Sequence, residues 1–207
     1  SRTDVSIGDE RPVCIYIHNT GSGYYTVETR IFTDNVNYRS TLRYYDSNDR
    51  NYKTVNADGS TTQTVYNADG TAGSVKAANG AVIYYEYNAD KKVTAQWSSL
   101  SDNTYSYIGY TYDASGNVLT ETAGKTATAL KTVPSDTYTT VYTYDGVGNK
   151  LSETQQNGKK TEYVYDAEGN VATLREYTGT SSFNKTDYSY DCMGKVTKVT
   201  QYLTKGD

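Results

Sequence analysis

The sequence predicts an all-β fold made of tandem antiparallel β-hairpins, with a unit of about 21 residues, that form a continuous curved or spiralling sheet. Three observations predict it. A turn motif led by tyrosine recurs along the chain, and tyrosines alternate with polar residues in the segments before each motif. The sequence also lacks a long apolar pattern of period 3.6, so helix is expected to be minor.

The motif is a tyrosine followed by Asp or Asn and, in most copies, by a glycine four residues after the tyrosine. An Asp or Asn side chain can accept a hydrogen bond from its own backbone two residues on, and the glycine supplies a positive φ. Successive copies lie 21, 21, 25, 32, 21 and 25 residues apart, so 21 is the minimal unit. The leading residues, here called the anchor tyrosines, are Tyr45, Tyr66, Tyr87, Tyr112, Tyr144, Tyr165 and Tyr190.

A second kind of turn is expected midway between some anchors, at Asn79-Gly80 and Asn157-Gly158. Asn-Gly between alternating segments is a strong hairpin signal. Each unit is therefore two strands and two turns, with the two kinds of turn on opposite edges. Longer units carry extra residues where the short ones carry Asn-Gly, at 98–104, 124–137 and 178–186, and we expect these insertions to share one edge, often the binding edge of a repeat array.

Tyrosine supplies apolar surface that Leu and Ile supply in most proteins, since the chain has 24 Tyr against 2 Phe. In most units a second Tyr lies two residues before the anchor, as in Tyr163 and Tyr165, which places both rings on one face of the strand. Two hypotheses follow for these rings. They are the packing surface between strands, or they are an exposed surface that stacks on sugars. For the second hypothesis the candidate ligand-binding residues are Trp97, Tyr85 and Tyr107.

The N-terminal part fits the repeat poorly. Tyr16 and the pair Tyr24-Tyr25 are typical of strands, but the turn motif is absent there. We therefore predict a divergent cap or eroded repeat over residues 1–41 and a repeat array over residues 42–207.

The string Tyr-x-Tyr-Asp-x-x-Gly-Asn-x-[Val/Leu] around Tyr110, Tyr142 and Tyr163 resembles the YD repeat of Rhs-type and wall-associated bacterial proteins and of teneurins. The resemblance covers roughly residues 42–203. It implies a spiralling sheet of the kind that closes into shells, an exported or cell-surface bacterial location, neighbouring repeats of a larger parent protein as partners, and carbohydrate binding. About seven units are too few to enclose a compartment, so an open sheet or a short shell segment is expected.

A weaker resemblance concerns Asn157-Gly158-Lys159-Lys160 leading into Tyr163, which is similar to the aromatic repeats of choline- and glucan-binding modules. Those modules depend on repeated Trp, whereas this chain has only Trp97.

Several other classes are disfavoured. A net charge of −4 with no block of Lys or Arg argues against nucleic-acid binding, and no apolar stretch is long enough to span a bilayer. No export signal is recognised at the first residues. The loops starting at Asn56 and Asn67 lack the closing Glu of an EF-type calcium site, so plain turns are expected, with no metal and no cofactor.

No catalytic constellation is recognised. His18 is the only histidine, and nothing near it in sequence resembles a nucleophile motif, so a turn or surface histidine is expected. Cys14 and Cys192 are either a staple between the two ends of the chain or two free thiols. The predicted function is a non-enzymatic structural or adhesive module. The alternatives are a carbohydrate-binding module and, more remotely, a glycoside-processing enzyme, and the terminal strands are expected to self-associate.

Overall fold

The computed structural model describes residues 2–7, 11–33, 37–100, 103–127 and 129–203, and the side chains of all of these except 2–7, 11–14, 20 and 126. Every regular element within these residues is a β-strand, so the all-β prediction is confirmed. The chain divides into two compact units, residues 1–103 and 104–207. The predicted division at residue 41 concerns sequence repetition rather than compactness, and it stays a prediction.

The first unit is an antiparallel meander in which each strand pairs with the next along the chain. Its strands are β1 (Arg2–Ile7), β2 (Arg11–Gly21), β3 (Tyr24–Phe32), β4 (Tyr38–Tyr45), β5 (Asn51–Val55), β6 (Thr61–Tyr66), β7 (Ala72–Lys76), β8 (Val82–Tyr87) and β9 (Val93–Ser99). The divergent N-terminal segment thus supplies three strands of ordinary antiparallel pairing.

The second unit is a meander of the same kind. Its strands are β10 (Tyr105–Tyr112), β11 (Val118–Ala127), β12 (Thr137–Tyr144), β13 (Lys150–Gln155), β14 (Lys160–Tyr165), β15 (Val171–Tyr177), β16 (Phe183–Tyr190) and β17 (Val196–Tyr202). All seven anchor tyrosines end an even-numbered strand, from β4 to β16. The predicted unit of two strands and two turns is therefore confirmed.

The tight turns share one five-residue geometry. The N–H of the first residue donates to the carbonyl of the fifth at 2.8–3.0 Å, and the N–H of the fourth donates back to the first at 2.8–3.2 Å. The fourth residue has a positive φ, which Gly adopts without steric cost. The turns are 46–50, 56–60, 67–71, 77–81, 88–92, 113–117, 145–149, 155–159, 166–170 and 191–195. The predicted plain turns at Asn56 and Asn67 are among them.

Two of these turns lack the glycine. Asp49 holds φ at 60° and Lys91 at 59°, whereas the glycines at this turn position have values of 77–94°. A residue with a Cβ tolerates this conformation poorly, so these two turns carry local strain that the other eight avoid.

The insertions 124–137 and 178–186 both lie between an odd-numbered and an even-numbered strand of the second unit, so they share an edge as predicted. The insertion 98–104 spans the division between the two units. Part of the extra length is strand rather than turn: β15 and β16 have 7 and 8 residues, while β13 and β14 have 6 each.

Few described side chains are buried, and none of the large ones lies below 2% exposure. Tyrosines of successive repeats are not direct cross-strand neighbours, because an odd-numbered strand separates them. Tyr163 lies opposite Leu174, and Tyr85 lies opposite Gln96. Within a strand the expectation is confirmed, since the rings of Tyr85 and Tyr87 lie on one face with centroids 6.3 Å apart.

Candidate functional site

The three predicted ligand-binding aromatics lie in different surroundings. Trp97 in β9 is 2% exposed and lies opposite Tyr84 of β8, whereas Tyr85 is half-buried. Tyr107 belongs to the second unit and is 8% exposed. Buried rings offer little surface to a sugar, so Tyr85 is the most accessible of the three. Ligand binding by these residues stays a prediction.

Tyr107 is buried within a small cluster of the second unit. A Cβ added at Gly109 would collide with the Tyr107 ring, so that ring lies over the glycine two residues on. Gly124 lies opposite Tyr107 in the register, and a Cβ there would collide with Pro134 of the inserted loop. With Ala127 at 1% exposure, these residues form a packed patch under the loop. Tyr107 thus has packing contacts within its own unit.

Four of the seven anchor tyrosines connect their repeat to the one before it. Their phenols donate to the backbone carbonyl of the residue that directly follows the preceding Tyr-Asp or Tyr-Asn turn, a bond here called the phenol latch. The latches are Tyr66 to Asn51 at 2.9 Å, Tyr87 to Ala72 at 2.9 Å, Tyr165 to Lys150 at 2.8 Å and Tyr190 to Val171 at 2.8 Å. Burial raises the pKa of the Tyr87 and Tyr165 phenols, which keeps these donors protonated.

The Asp and Asn residues of the motif bond each other across the turn. In turn 145–149, Asp145 Oδ1 accepts the N–H of Val147 at 3.0 Å and of Asn149 at 2.8 Å, and its Oδ2 accepts Asn149 Nδ2 at 2.9 Å. Asp166 makes the same bonds with Glu168 and Asn170. The carboxylates are thus used by the turns themselves, which explains the Asp-x-x-Gly-Asn string physically.

These bonds favour the ionised carboxylate. The pKa of Asp113 is lowered, chiefly by the hydrogen bond from the Asn117 side chain, and that of Asp46 chiefly by the bond from the Arg50 guanidinium. Arg50 Nη2 lies 2.7 Å from Asp46 Oδ2, and its guanidinium lies 4.6 Å from the centroid of the Tyr66 ring. One arginine therefore connects a turn to the next anchor tyrosine.

A charged cluster occupies one face of the second unit around Glu162. Lys160 Nζ lies 2.6 Å and Arg175 Nη1 lies 3.5 Å from its carboxylate, and the Tyr177 phenol donates to it at 2.8 Å. The Lys160 bond is the main reason why the pKa of Glu162 is lowered. In turn, the bond to Glu162 raises the pKa of Tyr177. Lys160 Nζ also lies 5.1 Å from the centroid of the Tyr177 ring.

Beside this cluster, on the edge that carries the insertions, lies a polar groove of about 600 Å³ between the turns 155–159 and 178–182. Tyr177 and Lys160 form one side of it, with Asn157 and Thr178 at the turns. An aromatic ring, an ammonium and amide and hydroxyl groups around one opening are the chemistry that recognises polyhydroxylated ligands. Asn157 and Lys160 belong to the segment with a weak sequence resemblance to aromatic repeats, whereas Tyr177 was not predicted. The groove forms only when successive turns lie side by side.

A cluster on β2, β3 and β4 of the first unit was not predicted from the sequence. Glu28 is 8% exposed and receives two bonds from Arg30, at 2.7 and 2.8 Å, and the guanidinium lies 4.4 Å from the Tyr16 centroid and 4.5 Å from the Tyr38 centroid. His18 Nε2 lies 3.9 Å from Glu28, and its side chain is 59% exposed. His18 is thus on the surface, as predicted, at the rim of a packed ion pair.

The cysteine prediction is partly outside the described structure. Cys192 is an exposed free thiol in turn 191–195, while the Cys14 side chain is not among the described ones. No group of three or more potential metal-ligating side chains occurs in the described part of the chain. Those same residues include no helix with the length and apolar character required to cross a bilayer.

Comparison with known proteins gives structural likenesses alone. No protein-family profile and no curated protein sequence matches the chain. A crystal structure of TcdB2-TccC3 is 12% identical with a TM-score of 0.47, over 92% of this chain and 14% of that one. A TcdB2-TccC3-Cdc42 structure is 13% identical with a TM-score of 0.46, over 92% of this chain and 13% of that one. A porin-like protein from Bacteroides uniformis is 12% identical with a TM-score of 0.37, over 96% of this chain and 92% of that one.

The chain thus spans about one seventh of the length of the toxin chains to which it is similar. These values establish no family membership.

Proposed function

We propose that the chain is a non-enzymatic structural or adhesive repeat module of a larger, exported bacterial protein, whose partners are neighbouring repeats. The observation that supports this most directly is the phenol latch. The same donor and the same acceptor position recur in both units, so the side chains that define the motif are used to fix one repeat against the next. Because the tyrosines of the motif also bond one repeat to the next, the chain is suited to forming an extended sheet.

The side chains with catalytic potential have structural partners. Turn carboxylates such as Asp145 accept bonds from their own turns, and Glu28 is held by Arg30. His18 contacts that ion pair rather than a nucleophile. Assays of polysaccharide hydrolysis are therefore expected to show no activity above the buffer rate, and activity that disappears on neutralising a carboxylate pair would overturn this part of the proposal.

The structural role is tested by removing the latches. Replacement of Tyr66, Tyr87, Tyr165 and Tyr190 by Phe keeps the rings and deletes four donors, and each loss is expected to cost about 1 kcal/mol of unfolding free energy in urea titrations. A control variant carries Tyr38→Phe and Tyr202→Phe, at positions that are 43% and 53% exposed. Equal stability of the two variants would contradict the proposal.

A second candidate function, glycan binding, is favoured by the groove at Tyr177. There the half-buried ring lies beside Lys160 and Asn157, and the ring and these polar groups would contact a sugar's apolar face and its hydroxyls. Trp97, Tyr85 and Tyr107 remain the proposed contacts of a ligand elsewhere on the chain.

A glycan array with the whole chain separates the two functions. If the groove binds glycans, Tyr177→Ala abolishes the signal, while Tyr202→Ala, on a strand outside the groove, keeps it. If the signal depends on Tyr85 instead, the ligand lies in the first unit. Binding no higher than that of a denatured sample would eliminate the glycan hypothesis and leave the structural one.

A further inference from the structure

Strand β17 has one partner within its unit. Among the described residues of this unit it pairs with β16 alone, whereas each strand from β11 to β16 pairs on both sides. Its apolar side chains are correspondingly open: Val199 is 52% and Tyr202 is 53% exposed. An exposed apolar strand with free backbone groups is a template for pairing with another strand.

The sequence of β17 repeats that of β15. Both begin with Val, at Val171 and Val196, and both follow a Tyr-Asp turn. Leu174 corresponds to Val199, and Tyr177 to Tyr202. Yet all but one residue of β15 is at least partly buried, while all but one residue of β17 is exposed. The difference is the second neighbour: β15 has β16 on that side.

We infer that the free edge of β17 binds an antiparallel β-strand of the β16 type, with an aromatic residue at its start, an acidic residue in the middle and Tyr-x-Tyr at its end. This inference rests on the proposed structural function, because it specifies the neighbouring repeat that the module accepts.

The contacts between β15 and β16 indicate which contacts the bound strand would make with β17. Phe183 lies opposite Tyr177 with ring centroids 5.3 Å apart, Asp187 accepts from Thr173 at 2.8 Å, and Tyr190 donates to the Val171 carbonyl. In the corresponding positions β17 offers the Tyr202 ring, the Lys198 ammonium and the Val196 carbonyl.

Charge favours this strand on β17 even more than on β15. Lys198 replaces Thr173 as the partner of the acidic residue, so a hydrogen bond becomes an ion pair. Thr200 replaces Arg175, which in β15 lies opposite the like-charged Lys185. The edge of β17 therefore combines an aromatic ring, a cation and a latch acceptor in the register that a β16-type strand requires.

A peptide with the sequence of residues 183–190 tests the inference on the whole chain. Benzoylphenylalanine at the Phe183 position is expected to crosslink to Tyr202 or its neighbours, which reports antiparallel register, and a scrambled peptide is expected not to crosslink. Replacing the peptide's last Tyr by Phe removes the latch and weakens binding. Crosslinks near Val196, or none at millimolar peptide, would overturn the inference.

A charge exchange makes the test specific. Lys198→Glu in the chain is expected to weaken binding about threefold to tenfold, and a peptide with Lys at the Asp187 position is expected to restore it. Lys195→Glu, at an exposed turn position, is the control and leaves binding unchanged. Loss of binding in the control as well would contradict the assigned register.

Two further outcomes are decisive. A dimer of the chain that crosslinks through β17 and that the peptide does not displace would replace the inferred partner by a second copy. If the peptide fails to bind although the latch variants lose stability as expected, the inference about β17 is wrong and the structural function stands.

Discussion

At the scale of single residues, the tyrosines combine two properties that are usually divided between residue types. The side chain of Tyr165 is half-buried, and its hydroxyl donates to a carbonyl 15 positions earlier in the chain. A phenylalanine would keep the apolar contact, and a serine would keep a donor but not its reach. A phenol does both, which favours Tyr over Phe at the four latch positions.

Tyr165→Phe is therefore expected to lower the unfolding free energy by about 1 kcal/mol, because the Lys150 carbonyl loses its donor while ring packing is kept. Chemical denaturation measures the effect. Tyr202→Phe, at a 53% exposed position, is the control and is expected to change stability by less than about 0.5 kcal/mol. A control variant as unstable as Tyr165→Phe would argue against the latch.

The turn carboxylates predict that the unfolding free energy depends on pH in the acid range. The pKa of Asp113 is lowered in the folded chain, chiefly by the Asn117 side chain, as are those of several other turn residues. When the pKa of a carboxyl is lower in the folded than in the unfolded chain, its ionisation stabilises the folded protein at pH values above the unfolded pKa, about 3.9. This stabilisation is lost as the pH falls through the folded-state pKa. The other residues are Asp46, Asp58, Asp69, Asp145 and Asp166.

Stability is therefore expected to be flat near neutral pH and to fall below about pH 4. Asp113→Asn tests the assignment, since Asn occupies the same turn position at Asn67 and Asn88 and keeps the turn. The difference in unfolding free energy between wild type and variant is expected to shrink from pH 7 to pH 3. A difference independent of pH would show that the ionised form of Asp113 contributes nothing.

At the scale of elements, the five-residue turn determines where each strand begins and ends. Turn 145–149 contains two glycines in different conformations: Gly148 has a φ of 94°, while Gly146 is not in the positive-φ region. Neither would bring an added Cβ within 3.4 Å of another atom. Substitutions at these two glycines therefore test the effect of backbone conformation alone, because neither position is crowded.

Gly148→Ala is expected to destabilise the protein by about 1–2 kcal/mol, because alanine is strained at a positive φ. Gly146→Ala is expected to be neutral or to stabilise by up to about 1 kcal/mol, since it restricts the unfolded chain alone. Thermal unfolding of both variants provides the comparison. Effects of equal sign would show that the φ of Gly148 is not what the turn requires.

The elements were predictable because the chemistry of these turns is local. Asp113, Asn117 and Gly116 lie within five positions, so their spacing in the sequence already contains the turn. The latches were not predictable, because the contact between Tyr165 and Lys150 depends on the register of β13 and β14. The burial of Trp97 was unpredictable for a related reason: an indole suits a packed site and a ligand site equally well.

At the scale of the whole molecule, the chain has two meanders, and few of the described side chains are buried. Stability then comes from each strand's contacts with its neighbours, as in other repeat proteins. A strand with two paired neighbours is expected to open less often than a strand with one. Within the second unit this contrast is between β14, paired with β13 and β15, and β17, paired with β16.

Hydrogen exchange is expected to follow this contrast, with the amides of β17 exchanging faster than those of β14. The difference should shrink when the peptide of residues 183–190 is present, since it supplies the second neighbour. Exchange of β17 as slow as that of β14 in the isolated chain would mean that its free edge is already covered.

The turns 77–81 and 155–159 each contain an Asn-Gly pair, which can deamidate. Asn79-Gly80 and Asn157-Gly158 are pairs that lose ammonia when the glycine nitrogen attacks the Asn side-chain carbonyl. In the folded turn the Gly158 N–H donates to the Gln155 carbonyl at 2.8 Å, and Asn157 Oδ1 accepts from Lys159 at 3.0 Å. Both reacting groups are held in place by these bonds, so ammonia is released only when a hairpin opens. The rate at which Asp or iso-Asp forms at Asn79 and Asn157 thus reports how often the hairpin around each turn opens.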